Sequence, residues 1–401
     1  MNRSLLPIFL IVIVDVLGLT LILPLLPFYA EHYGASPAEV GMLSATYALC
    51  QLVAGPVLGQ LSDRFGRKPL LIVSQLGTFA GFLLLAFSHS LWLIFLSRAI
   101  DGITAGNITI AQAYIADVTE PQHRARAFGL IGIAFGLGFL VGPGISGVLA
   151  HYDLRYPIFM AAGLSFLSVL TTYTLLPWGK PPGGPNEAPR RVKILDVKTY
   201  AKYFARPRLG NFLGQFFIYV LGFAVFTGGF ALFAERRLTW NGHPFGVREV
   251  GLVFAFAGFL GAILQGGFIH RLVTRFGEER LIIYGFAANV VGYLVLGFTA
   301  YIPILVVSAV ITAFGNGALR PSLTAIITQN VERHEQGLVL GLNQSLMSVA
   351  QIVGPLTAGI LIDHALLSTW AWLIAGLSLV GIALRPKASA VPPMKSAGGE
   401  S

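Results

Sequence analysis

Charge is scarce in this chain. Only 11% of its 401 residues are Asp, Glu, Lys or Arg, less than half the share usual for a soluble domain. With 27 basic and 18 acidic side chains, a charged coat cannot cover a soluble fold of this length, which excludes a secreted globular enzyme, a nucleic-acid binder and a disordered chain. Cysteine is nearly absent. The single Cys50 lies in an apolar run, so there is no disulfide framework and no cysteine metal site. No Gly-x-x-x-x-Gly-Lys-Ser/Thr run occurs, so the chain carries no phosphate loop of its own for ATP. No apolar run holds a Ser/His/Asp set or paired histidines; His270 and His364 fall at the ends of runs. That argues against an intramembrane hydrolase and any metal or cofactor chemistry.

What is present is apolar. Hydrophobic residues make up 55% of the chain, and the mean hydropathy is +0.73. A helix needs about 20 apolar residues to cross a bilayer. Twelve runs meet that need, at about 5–29, 39–60, 69–88, 91–117, 127–150, 156–177, 209–234, 249–270, 281–299, 302–328, 336–362 and 369–385. They lack the apolar/polar alternation of a membrane β-barrel. Internal prolines (Pro24, Pro56, Pro143, Pro321, Pro355) are tolerated where neighbouring helices satisfy the freed backbone groups. The expected fold is therefore an all-α membrane protein of twelve transmembrane helices. The first run is too long for a signal-peptide core and is expected to be retained.

Lys and Arg set the orientation. With both termini inside, 21 of them face the cytoplasm and four (Arg155, Arg236, Arg237, Arg248) face out. Two more, Arg98 and Arg320, fall within runs. The net charge of +9 is thus a topology signal, with anionic lipid as its partner, and not evidence for nucleic acid. The expected location is the cell membrane, in a bacterium the inner membrane, spanned many times with both termini cytoplasmic.

Segment 178–208 is the one long polar stretch between runs and reads as a cytoplasmic linker, with a short amphipathic helix near 194–205. It divides the chain into a six-helix half (1–177) and a second six-helix half (209–385), followed by a cytoplasmic tail (386–401). The halves repeat. Ala38-Glu39-Val40-Gly41 matches Arg248-Glu249-Val250-Gly251, Arg64-Phe65-Gly66 matches Arg275-Phe276-Gly277, and Gly142-Pro143 matches Gly354-Pro355. All three pairs have nearly one offset. Equal span numbers and equal orientation make this a parallel repeat, the arrangement described for major facilitator transporters.

Gly59-Gln60-Leu61-Ser62-Asp63-Arg64-Phe65-Gly66-Arg67-Lys68 resembles the loop 2–3 signature of the major facilitator superfamily. Its glycines allow close approach and a tight turn. Asp63 bonds a helix start or an arginine, and Arg67 is placed to pair with Asp117. Gly59, Asp63, Arg64, Gly66, Arg67 and Asp117 are accordingly expected to form a conformational latch, against the plainer reading of a basic loop. The second copy, around Arg271, Arg275 and Gly277, lacks the aspartate. Leu17-Gly18-Leu19 with Pro24 and Pro27, Arg98 with Gly102, and Gly132, Gly136, Gly138, Gly142-Pro143 and Gly147 resemble signatures of the twelve-helix drug/proton antiporters. Gly138, Gly142, Pro143 and Gly147 stand for the antiporter motif; as bare chemistry they make a small-residue packing stripe. Helix 1 with Asp15, the run Leu58 to Pro69, Ala134-Phe135-Gly136-Leu137-Gly138 and Phe233-Ala234-Glu235-Arg236 are similar to the tetracycline/proton antiporters. Those exporters carry acidic residues in helices 3 and 9, where this chain has Gly81 and Asn289.

A charge at mid-bilayer costs about 2.5–3.5 kcal/mol and faces a cavity or a partner. Asp15, Arg98, Asp101 and Arg320 are the four within runs and are assigned to proton coupling, with Asp15 as the proton-binding carboxylate. Arg98 and Asp101 have i, i+3 spacing. Asp15 and Arg320 sit at similar depth; either they meet across the halves or each pairs within its own. Gln51, Asn107, Gln112, Gln215, Phe216 and Asn316 are the expected cavity residues for a bulky amphipathic ligand. The resemblance implies a monomeric, proton-coupled exporter of a small hydrophobic or amphipathic compound, with no cofactor. The alternatives are a sugar or metabolite transporter of the same fold, or a non-transporting receptor or scaffold.

Overall fold

The computed structural model describes residues 5–119, 124–178, 197–332 and 335–386. The parts of the linker and tail at 179–196 and 387–401, and Arg3 and Arg333 of the charge tally, lie outside them; the side chains of Arg124 and Arg126 are likewise outside.

The first half holds α1 (Leu5–Ile22), α2 (Leu26–His32), α3 (Pro37–Phe65), α4 (Arg67–Ala86), α5 (Leu91–Ile103), α6 (Asn107–Val118), α7 (Arg124–Ala150) and α8 (Tyr156–Leu175). Then come α9 (Val197–Phe204), α10 (Pro207–Arg237), a two-residue hairpin of β1 (Thr239–Trp240) and β2 (His243–Pro244), and α11 (Val247–Ile263). A π-helical turn (Leu264–Phe268) joins α11 to α12 (Ile269–Phe276). The second half ends with α13 (Glu278–Phe298), α14 (Ile302–Gln329), α15 (Gln336–Asp363) and α16 (Leu367–Ala383). Ten helical segments among the described residues are long and apolar enough to cross a membrane. The pair α1/α2, bent by 45°, makes an eleventh, and α16, apolar but 17 residues long, takes the twelfth place.

Two expected spans are broken. Between α1 and α2 lies Pro24, with Pro27 in the first turn of α2; proline cannot donate to the preceding turn and kinks the helix. The fourth span breaks at Thr104–Gly106 between α5 and α6. Ser74 of α4 fills that gap: its hydroxyl donates to the Thr104 carbonyl and accepts from the Gly106 N–H at 2.9 Å. Both freed backbone groups thus find a partner away from water. Gly77 makes room, since a Cβ there would run into the Thr104 side chain.

The repeat is visible as geometry. Glu39 accepts from the Ser36 N–H at 2.7 Å, and Glu249 from the Gly246 N–H at 2.9 Å, so both copies start their helix with the same capping carboxylate. Gly66 and Gly277 end theirs at φ 97° and 75°, a region that glycine alone enters cheaply. Arg64 and Arg275 lie over Phe65 and Phe276 at 5.3 and 5.5 Å.

The halves meet along two seams, α3 with α15 and α7 with α11. The repeated glycine of each half abuts the repeated Gly-Pro of the other: a Cβ on Gly41 would collide with the Pro355 carbonyl, and one on Gly251 with the Pro143 carbonyl. Gly359 sits against Pro37 and Ala38, and Gly147 against Val247 and Arg248. Backbone touches backbone here because no side chain intervenes. All these contacts cluster at one end of the bundle, with Leu25, Tyr29, Phe230 and Phe233 in the core beneath. An ion pair also crosses there, Glu31 to Arg236 at 2.5 Å. At the other end, which bears Gly66 and Gly277, nothing lies within 4 Å of a notional Cβ on Gly132, Gly136, Gly261 or Gly341. The halves touch backbone to backbone toward the far end, and the glycines named at the Gly66 end face open space.

Several basic residues at the Gly66 end have local jobs. Lys68 is buried, donates to the Tyr173 and Leu176 carbonyls at 2.7 and 2.6 Å, and caps the end of α8 beneath the Trp178 ring. Arg206 grips Glu335 at 2.6 and 2.9 Å, with the Tyr203 hydroxyl at 3.0 Å. The Arg206 guanidinium holds the Glu335 carboxyl down at about 2, so this tie between α9/α10 and α15 stays charged at neutral pH.

Candidate functional site

The polar core of the first half gathers around Asp15. Its carboxylate faces Ser168 of α8, Gln75 of α4 and Asn107 of α6, and lies within electrostatic range of Asp101. Gln75 Nε2 donates to Ser168 Oγ at 2.7 Å, leaving the Ser168 hydroxyl hydrogen for Asp15. A cavity of about 20 Å³ adjoins the carboxylate, lined by Asp15, Thr78, Asn107 and Ser165 among others. That is room for one water. Arg98 and Asp101 pair as their spacing predicts, at 3.1 Å with both side chains 6% exposed. The Arg98 guanidinium also lies over the Phe82 ring at 5.6 Å. Tyr47 feels all three charges, Asp101, Arg98 and Asp15, and accepts from Gln51 Nε2 at 3.2 Å.

This network is incompletely satisfied. Asp15 Oδ1 and the Nε and Nη2 of Arg98 are buried without a hydrogen-bond partner. Each such group costs about 1–3 kcal/mol, more where charge is involved. A polar core that leaves both an acceptor and donors idle is suited to taking up a proton or exchanging partners.

Not every expected site residue joins this group. Asp15 and Arg320 do not pair: Asp15 points into its own half, while Arg320 of α14 faces α7, its guanidinium 5.9 Å from the Phe135 ring. Gln215 and Phe216 are not cavity residues here. Gln215 is buried and ties α10 to α16 through the Gly381 carbonyl at 2.8 Å, and Phe216 is packed in the core of the second half. Asn316 accepts from Asn289 at 3.1 Å and donates to the Tyr293 hydroxyl at 3.2 Å, a triad internal to that half. Gln112 is half-buried on α6. The sequence reading missed Gln75, Thr78, Ser165 and Ser168. Their signal was the Ser165/Ser168 spacing, i and i+3, on one face of α8 opposite Gln75.

The residues expected to form the latch lie together. Arg67 contacts Asp63 at 2.6 Å, Asp117 at 2.8 Å and the Ser62 hydroxyl at 2.6 Å, tying α3, α4 and α6 together at the Gly66 end. Gly59 packs on Thr109, and Arg64 points outward. Asp63 is 62% exposed, so its share is a surface pair of about 0.2–1 kcal/mol. Asp63→Ala is therefore expected to slow turnover roughly two- to fivefold with little loss of substrate affinity, because a shifted balance between states changes rate before binding. Unchanged turnover and unchanged spin-label distances across the Gly66 end would reduce the motif to a basic loop.

The antiporter-motif glycines are packing surfaces. A Cβ on Gly138 or Gly142 would strike Val16 and Thr20 of α1, while Pro143 and Gly147 serve the α11 seam.

At the far end a cleft of about 740 Å³ opens between the halves, lined by Glu31, His32, His151, Glu235, Trp240 and His243 among others. Arg236 bridges Glu31 and Glu235 beside it, at 2.5 and 3.0 Å.

Comparison with known proteins agrees with this architecture. The family model described as Major Facilitator Superfamily matches residues 8–288 and 242–400. The class C tetracycline resistance protein of Escherichia coli is 33% identical over 394 residues, 94% of this chain and 95% of that protein. The class B protein of the same organism is 30% identical, covering 93% and 92%. Multidrug resistance protein 1 of Bacillus subtilis (strain 168) is 29% identical, with 86% of each chain covered. Among solved structures, the human organic anion transporter MFSD10 (TETRAN) superposes with a TM-score of 0.71 at 23% identity, over 96% of this chain and 99% of that one. The nucleoside transporter NupG gives 0.74 at 15%, over 96% and 99%.

Proposed function

Because this chain belongs to the Major Facilitator Superfamily, a class of membrane transporters and not of enzymes, we propose that it exports a small hydrophobic or amphipathic compound in exchange for protons, by alternating access. The observation that carries this reading is the half-satisfied Asp15–Arg98–Asp101 core beside a one-water cavity. A carboxylate whose surroundings alternate between dry and wet takes up and gives off a proton. The distribution of Lys and Arg supports a cytoplasmic Gly66 end, and the open space beside Gly132, Gly136 and Gly341 supports a path that begins there. The protein acts as a monomer in a cell membrane, with the facing surfaces of the two halves as the substrate path. The two relatives' tetracycline and multidrug resistance names support efflux over uptake.

The test is transport in proteoliposomes with an imposed pH gradient, read by a pH-sensitive dye against a panel of lipophilic compounds. Substrate-dependent proton movement is expected; substrate movement indifferent to the gradient would rule out coupling.

Tetracycline itself is expected to be a poor substrate. Its metal-chelated form is cationic, and the positions where the resemblance implies carboxylates hold Gly81 and Asn289. Position 81 is tight for one, since a Cβ there would lie 3.0 Å from Asp101 Cβ and 3.2 Å from the Ser97 carbonyl, and a carboxylate would sit beside that of Asp101. Asn289 is committed to Asn316. In an efflux-deficient bacterial host, the protein should raise tolerance to tetracycline by less than about twofold, a difference of about 0.4 kcal/mol in binding terms. Strong tetracycline resistance without resistance to other lipophilic drugs would overturn this.

A further inference from the structure

Two arginines, Arg98 and Arg320, fall within the apolar runs, and of these Arg98 holds a carboxylate. Among the described residues none lies within ion-pair distance of Arg320. It stands nine residues from the Gln329 end of α14, about 14 Å along the helix and so near mid-membrane. A charge at that depth faces a partner or a water-filled cavity. Its neighbours Leu319 and Leu323 are fully buried in the core of the second half, whereas Arg320 is exposed. It therefore looks out of that half and not into it.

What it faces is the region between the halves. Phe135 of α7 belongs to the opposite wall, 5.9 Å from the guanidinium. The adjoining Gly136 and Gly132 leave open space. On its own side, Tyr219 of α10 lies within electrostatic range and is stacked on Phe223 at 6.3 Å. A cation with one aromatic face beside it and open space next to that face has the parts of a binding site and lacks only the anion.

We propose that Arg320 anchors an anionic group of the substrate, so that the compounds carried are amphipathic organic anions: a carboxylate or sulfonate on an aromatic or apolar body. This rests on the exporter reading above and names its substrate class. The guanidinium is weakly hydrated, planar and permanently charged, and its donor fork matches a carboxylate or sulfonate in two parallel bonds. Phe135 then flanks the apolar body. A cationic ligand in the same place meets uncompensated positive charge. The rival role for Arg320 is an ion pair with Asp15 in another state of the cycle, which would make it a coupling group instead.

The test uses the full chain in nanodiscs and three probes of one shape: 2-naphthoate, 2-naphthamide and 2-naphthylmethylamine. The wild type should bind the carboxylate about tenfold or more tighter than the amide, because a hydrogen bond between two charged groups is worth about 1.5–3 kcal/mol, and the amine weakest. Arg320→Gln should erase the preference for the carboxylate over the amide, and Arg320→Lys should keep part of it. An unchanged preference in Arg320→Gln overturns the proposal. So does a wild type that ranks the amide or amine first, or that binds naphthoate without saturation; this ranking needs no variant to fold. In proteoliposomes, loss of proton-driven amide movement in Arg320→Gln with the naphthoate preference intact would make Arg320 a coupling group and likewise overturn it. Charge-selective binding without any movement under a pH gradient would uphold the anion anchor and sink the exporter reading, so the two fail separately.

Discussion

Asp15→Asn is expected to abolish transport driven by a pH gradient, lowering the initial rate by roughly a hundredfold or more, the range over which a lost proton-transfer group acts. Asparagine has nearly the same shape and can still meet Gln75, Ser168 and Asn107, so expression and thermal stability should stay near wild type. The distinction between driving and binding is what the variant tests. It should still bind substrate, and it should still equilibrate it downhill, because neither needs a proton to change places. Proteoliposomes with and without an imposed gradient separate the cases. Undiminished uphill transport by Asp15→Asn would remove Asp15 as the proton site and shift attention to Asp101, the other carboxylate of the same core.

Arg98→Ala is expected to have the largest effect on folding. It strands Asp101, 4% exposed, without its guanidinium, and breaking a buried pair from one side costs about 3–5 kcal/mol. It also removes the cation stacked on Phe82. Yield and melting temperature should both fall. Arg98→Ala/Asp101→Ala removes the stranded charge and should recover much of the loss, since replacing both members of a buried pair is far milder than removing one. Transport should remain crippled in both variants if the pair belongs to the coupling core. A double variant no more stable than Arg98→Ala would show that the two charges do not depend on each other and that Arg98 answers chiefly to Asp15.

The spans and their repeat were legible because each rests on a local signal: run length, or short words recurring at one offset. The Arg98–Asp101 pair and the Arg67–Asp117 contact were legible for a related reason, since helical spacing or a family motif fixes both partners. Which face a polar residue presents was not legible. Gln215 and Asn316 read as cavity residues, yet one bonds a carbonyl of α16 and the other joins a triad inside its half. A span's polarity says that a partner exists, not on which side. The breaks at Leu23–Leu25 and Thr104–Gly106 were hidden within continuous apolar runs, and the second depends on Ser74, thirty residues away. Glu31, the far-end partner of Arg236, carried no signal at all, because its meaning appears only once the halves are docked. Lys68 was counted as a topology charge, but most of its side chain is spent capping α8.

The Gly41–Pro355 and Gly251–Pro143 contacts make the molecule a lever with its fulcrum off-centre. Both contacts lie toward the far end, and at each the two main chains meet with no side chain between them, so a rocking motion of the kind proposed would find no rotamers to repack there. If one half turns by about 15°, a typical rigid-body step, ends some 15–20 Å from the pivot travel about 4–5 Å, while atoms at the seam scarcely move. Under such a motion, small strokes near the Glu31–Arg236 tie would be geared up into wide ones at the Gly66 end. A side chain inserted at either pivot would act as a wedge in the joint, and its harm would be measured in lost travel before it was measured in lost stability.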